Sequence, residues 1–234
     1  MAISMLPKQL IRKVDLGDIT QGVTTVSPLA LKDYTLIIDK SGSMSTKDMN
    51  GLTRWQAAAE TTEALARKVG LYDPDGIDVW LFANTHKFYP HVDAEKVKQI
   101  FQENEPCGGT AMAEVLDAAI TNFLSHRSQG TAKPNGEMIM VITDGEPNSK
   151  AKVKEVLTRT THQLRPQDKL TISFLQVGRD PAASCFLKEL DDDLQKQGAW
   201  RDIVEVIKLE DMENVGFTQF LLDHLEKTTR PQPT

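Results

Sequence analysis

Two cysteines, Cys107 and Cys185, in 234 residues are too few to staple a disulfide scaffold, and both are expected as reduced thiols. No stretch approaches the roughly 20 apolar residues of a membrane span. The first 23 residues contain no uninterrupted apolar run of signal-peptide type, because Lys8, Arg12, Lys13 and Asp15 break them. These absences lead to the expectation of a cytoplasmic protein with no membrane partner. Excess positive charge is missing too. The formal net charge is -6, which argues against an unspecific nucleic-acid binder. There is no Gly-x-x-x-x-Gly-Lys phosphate loop. No Ser-His-Asp or Cys-His arrangement is legible. The five histidines, His86, His91, His126, His162 and His224, are scattered without metal-ligand spacing.

What is present is enough apolar content, 40%, for one substantial core. Strand-like runs occur at 34–38, 77–83, 138–143, 170–177 and 203–207, with a shorter candidate edge strand at 87–91. The run Met138-Ile139-Met140-Val141-Ile142 is almost unbroken, as in a strand covered on both faces. Between these runs, apolar residues recur at helical spacing. The stripes begin at Trp55, Val97, Met112, Val153, Ala183 and Phe217. This alternation predicts a Rossmann-like three-layer α/β/α domain with a central, mostly parallel six-stranded sheet and one short antiparallel edge strand. It spans 33–228. Residues 1–32 have no sustained period and are expected as an N-terminal arm, and 229–234 as a C-terminal tail.

Three short segments carry the chemistry. Asp39-Lys40-Ser41-Gly42-Ser43 directly follows the first strand-like run. Gly108-Gly109-Thr110 precedes a helical stripe, and Thr143-Asp144-Gly145-Glu146-Pro147 closes the most apolar strand. Ligands of open α/β sheets bind beyond the carboxyl ends of the strands, where Asp39 and Asp144 fall. Asp39, Ser41, Ser43, Thr110 and Asp144 are all oxygen donors. Such a set suits Mg²⁺, with Mn²⁺ or Ca²⁺ as alternatives, and disfavours zinc or copper. Small side chains and few charges favour the compact shell of Mg²⁺. Gly42 is expected to permit a sharp turn between the serines, and Gly108-Gly109 a tight approach to the helix. Thr110 is expected as a helix N-cap or first-turn residue, and Pro147 in the first turn of the following helix. Met44 and the 45–52 loop are candidates for the rim of the site.

Together these segments resemble the von Willebrand factor A domain and its metal-ion-dependent adhesion site, in a bacterial-type single-domain form. The resemblance covers about residues 33–228. It implies that Ser41, Ser43 and Thr110 bind the metal through their hydroxyls, while Asp39 and Asp144 act largely through bound water. It also implies a docking role, in which a partner protein supplies an Asp or Glu carboxylate to the metal. The family can switch affinity through its last helix, which would span 214–227 here.

The expected function is therefore a divalent-metal-dependent protein-binding module, an intracellular adaptor or regulator, monomeric and not an enzyme. The alternative setting is a subunit working with an AAA-type ATPase or a metal-chelatase complex. A Mg²⁺-dependent phosphohydrolase is a weaker fit. Haloacid-dehalogenase phosphatases resemble Asp-x-Asp in the first loop, whereas Ser41 holds the third position here and cannot serve as their general acid. An RNA-associated module also fits poorly with an acidic chain.

Overall fold

The computed structural model describes residues 28–47, 51–73 and 75–208. Most of the expected N-terminal arm, the stripe beginning at Phe217, the 214–227 helix and the tail lie outside the described residues. Among the described residues, six strands form one sheet. They are β1 (Asp33–Asp39), β2 (Ile77–Phe82), β3 (His86–Val92), β4 (Glu137–Thr143), β5 (Leu170–Gln176) and β6 (Val204–Lys208). The helices are α1 (Arg54–Val69), α2 (Ala94–Glu103), α3 (Met112–Gln129), α4 (Lys150–Gln163) and α5 (Pro181–Asp193). The strand order is β3-β2-β1-β4-β5-β6, and all pairings are parallel except β2 with β3. The expected sheet is observed, with the bounds of every strand differing from the expected run by one residue at one or both ends.

The period-2 alternation of the strands sorts the core into two layers. Leu36 and Ile38 of β1, with Met138, Met140 and Ile142 of β4, pack on the α1 and α2 side. Ile37, Ile139 and Val141 face the α3, α4 and α5 side. All of these side chains are fully buried, each stabilising the fold by about 1.5–3 kcal/mol before entropy is counted. Trp55 of α1 stacks obliquely on Phe101 of α2, with ring centroids 4.4 Å apart, which fastens the two helices of that layer together. The residues before β1 also join the domain. Leu29 is buried, and its carbonyl accepts a 2.9 Å hydrogen bond from the Tyr34 hydroxyl.

The order of the strands decides where the loops meet. The chain builds outward from β1 through β2 to β3, then crosses back to β4 on the other flank of β1. The sheet therefore has its topological switch between β1 and β4, the place where open α/β sheets form ligand crevices. Ile38 pairs with Ile142 in the parallel register. The loops after these two strands thus leave the sheet side by side, carrying Asp39 and Asp144.

Candidate metal centre

Three loops are tied to one another by backbone and side-chain hydrogen bonds. The first two are joined by Gly42 N–H to the Gly108 carbonyl at 3.0 Å and by Cys107 N–H to the Lys40 carbonyl at 2.7 Å. The first and third meet where the Ser43 hydroxyl donates to Asp144 Oδ1 at 2.9 Å. The second and third are clasped reciprocally. Asn148 N–H donates to the Thr110 carbonyl, and Thr110 N–H donates to Asn148 Oδ1, each at 2.9 Å. All five expected donors, Asp39, Ser41, Ser43, Thr110 and Asp144, are therefore carried by this single loop cluster.

Asp39 ends a buried strand and is itself 0% exposed. Its Oδ1 accepts from Ser41 N–H and its Oδ2 from the Thr143 hydroxyl, both at 2.7 Å. Burial pushes the carboxyl up to about 6. The hydrogen bonds from Ser41 and Thr143 oppose that rise, and the neighbouring Asp144 carboxylate adds to it. Asp144 is also 0% exposed. Its second oxygen, Oδ2, accepts a 2.8 Å charged hydrogen bond from Arg54 Nη1, an ion pair that the sequence reading did not anticipate.

The two serine hydroxyls converge. Ser41 Oγ lies 3.0 Å from Ser43 Oγ, which lies 2.9 Å from Asp144 Oδ1. These separations are hydrogen-bond lengths, and the all-oxygen donor set fits a hard divalent cation. Among the described residues there is no group of three or more His, Cys, Asp or Glu that could hold a metal.

The second loop owes its shape to two asparagines. Gly109 N–H donates to Asn84 Oδ1 at 2.8 Å. A Cβ on Gly109 would meet Asn84 Oδ1 at 2.9 Å and Asn148 Oδ1 at 3.0 Å, so only glycine lets both amides approach. Gly108 has φ +81°, a conformation that favours glycine. Gly42, in contrast, does not have a positive φ, and a Cβ there would make only ordinary contact with the Gly108 carbonyl at 3.6 Å. Its expected turning role is not what the loop requires.

Three further expectations are corrected. Thr110 does not cap α3. Ala111 occupies the N-cap, no side chain caps the helix, and the 8%-exposed Thr110 belongs to the loop. Pro147 precedes the Ser149 cap of α4 and is not in its first turn. Met44 does not line a rim. It is fully buried and anchors the 3-10 turn Gly42–Ser45 to the core. Asn84 had only a weak signal, its position after a strand. Asn148 and Arg54 had none, since a single amide or guanidinium in a loop or helix start has no distinguishing pattern. Both cysteines are free and exposed.

Comparison with known proteins agrees with this fold. Residues 34–147 match the family model of the von Willebrand factor type A domain, a stretch that begins in β1 and ends with the third loop. The fold is the Rossmann-like α/β fold of that domain, a family that often mediates metal-dependent protein–protein interaction. The structure is similar to the PilB minor pilin from Streptococcus sanguinis, with a TM-score of 0.59 and 12% identity over 86% of this chain. A point mutant of that pilin gives 0.58 and 13% over the same share. It is also similar to the manganese-loaded TRAP protein of Plasmodium vivax, with 0.52 and 15% over 84% of this chain and 74% of that one. The chain spans 63% of the length of the pilin. At these identities the likeness is one of fold. No curated protein matches the chain.

Proposed function

We propose that this domain is a divalent-metal-dependent protein-binding module with a metal-ion-dependent adhesion site. Mg²⁺ would be held by Asp39, Ser41, Ser43, Thr110 and Asp144, and would dock an Asp or Glu side chain of a partner protein. The observation that carries the reading is the run of oxygens Ser41 Oγ, Ser43 Oγ and Asp144 Oδ1 at 2.9–3.0 Å spacing, drawn from two loops at the switch point of the sheet. A bound cation would supply an electrophilic position for an anionic oxygen. The chain's own residues do the rest. The buried strand end fixes Asp39, Thr143 and the Ser41 backbone orient its carboxylate, and the Asn84–Gly109 and Asn148–Thr110 hydrogen bonds fix the backbone that presents Thr110.

Docking is preferred to hydrolysis because the first loop offers Ser41 where a phosphohydrolase of this layout needs an acid. Two free, exposed thiols suit a reducing compartment, so we place the module inside the cell as an adaptor or regulator.

Calorimetric titration with Mg²⁺, paired with affinity capture from the source lysate in Mg²⁺ or EDTA, tests the proposal. Wild type is expected to bind the ion and to retain partners only with Mg²⁺, and Asp39→Ala to do neither while staying folded. Thr110→Ala is expected to weaken partner capture more than folding. Equal ion binding by wild type and Asp39→Ala would remove the assignment.

A further inference from the structure

Arg54 is the first residue of α1, yet its side chain reaches across to the third loop. Several features lock it there. A capping box between Thr53 and Gln56 fixes the start of the helix, and Arg54 N–H donates to the Thr46 carbonyl at 2.9 Å. Gly178, beyond β5, lies under the guanidinium. A Cβ at that position would stand 2.7 Å from Arg54 Nε and 3.1 Å from Cζ. The side chain is only 14% exposed and makes its 2.8 Å ion pair with Asp144 Oδ2, while Asp144 Oδ1 accepts from Ser43.

We infer that Arg54 is a built-in counter-ion that sets how the centre divides its affinity between the cation and the anionic ligand. This inference rests on the metal-docking function proposed above. Asp39 and Asp144 bring two negative charges when ionised, and Arg54 cancels one of them. A guanidinium keeps its charge at every accessible pH. At 14% exposure its field is weakly screened, so it repels a divalent cation bound beside Asp144. The same field attracts a carboxylate approaching from outside. With Arg54, two carboxylates and a divalent cation sum to one net positive charge, and without it they sum to zero. Arg54 thus weakens cation binding and strengthens anion capture. A residue that merely braced Asp144 would support both, and its loss would weaken both. The opposite signs separate the two roles.

The test uses Mn²⁺ alone, titrated by electron paramagnetic resonance. Acetate is then added to the Mn²⁺-saturated protein and followed by water-proton relaxation. In Arg54→Gln, Mn²⁺ binding is expected to tighten by about tenfold and acetate binding to weaken by about tenfold, with Arg54→Lys near wild type in both. Should Arg54→Gln not fold, Arg54→Met keeps the apolar stem, removes the charge and is expected to move both affinities in the same directions. Arg54→Gln binding both probes less well, or both unchanged, overturns the role of Arg54 and leaves the metal assignment standing. A wild type that binds no Mn²⁺, or no more than Asp39→Ala does, overturns both.

Discussion

Replacing Asp39 by Asn should stabilise the metal-free protein, although the residue sits at the centre of the proposed site. The buried carboxyl is raised from its ordinary 3.8 to about 6. At 1.36 kcal/mol per pKa unit, holding it ionised in the fold costs about 3 kcal/mol. The sign follows from linkage. The folded state holds the proton more tightly than the unfolded one, so the benefit is full below pH 3.8. It is lost as pH rises through about 6. Asparagine removes the charge and keeps the Oδ1 acceptor for Ser41 N–H. The Thr143 hydroxyl can rotate to accept from the new amide instead of donating to Oδ2. Asp39→Asn in EDTA at pH 7.5 should therefore be more stable than wild type by up to about 3 kcal/mol, a Tm rise on the order of 5–10 °C. The two proteins should converge below pH 4. Mg²⁺ at a hundred times its Kd adds about 2.7 kcal/mol to wild type and nothing to the variant, which nearly closes the gap. Urea denaturation across pH 4–8, with EDTA or Mg²⁺, measures all of this. An Asp39→Asn protein less stable than wild type in EDTA at pH 7.5 would refute the reasoning. So would parallel pH curves for the two proteins.

Mg²⁺ affinity should fall about tenfold between pH 7 and pH 5, because the cation must displace the Asp39 proton with its value near 6; calorimetry showing a flat affinity would contradict this. Asn148→Ala should weaken Mg²⁺ binding by about tenfold while costing only about 1 kcal/mol of stability, since it removes the acceptor for Thr110 N–H; unchanged Mg²⁺ binding would mean that the clasp does not position the loop. Gly136→Ala should cost at least about 3 kcal/mol in urea denaturation. A Cβ there would lie 1.7 Å from the Lys169 carbonyl oxygen at a φ of +69°, and that carbonyl holds the Glu137 N–H; a loss under about 1 kcal/mol would show that the turn yields.

The sequence by itself determined the order of elements along the chain and the edge of the sheet at which the five expected oxygen donors fall. Those are local properties. Period-2 and helical stripes record which face of each element is buried, and the buried run of β4 announces a strand covered on both sides. Asp39 and Asp144 were legible because each follows such a run, and parallel strands deliver their carboxyl ends to one edge. Tertiary structure alone decided which side chains hold those donors in place. Arg54 and Asp144 are 90 positions apart, and Thr110 and Asn148 are 38 apart. Their meeting depends on β1 and β4 being neighbours at the switch point, which no local period records. The same holds for Met44, whose place in a polar loop suggested exposure until the turn folded it under the sheet edge. Helical spacing tells which way a side chain leaves its helix. How far a long arginine then reaches, and what charge it meets, is fixed only when the loops of three strands pack together.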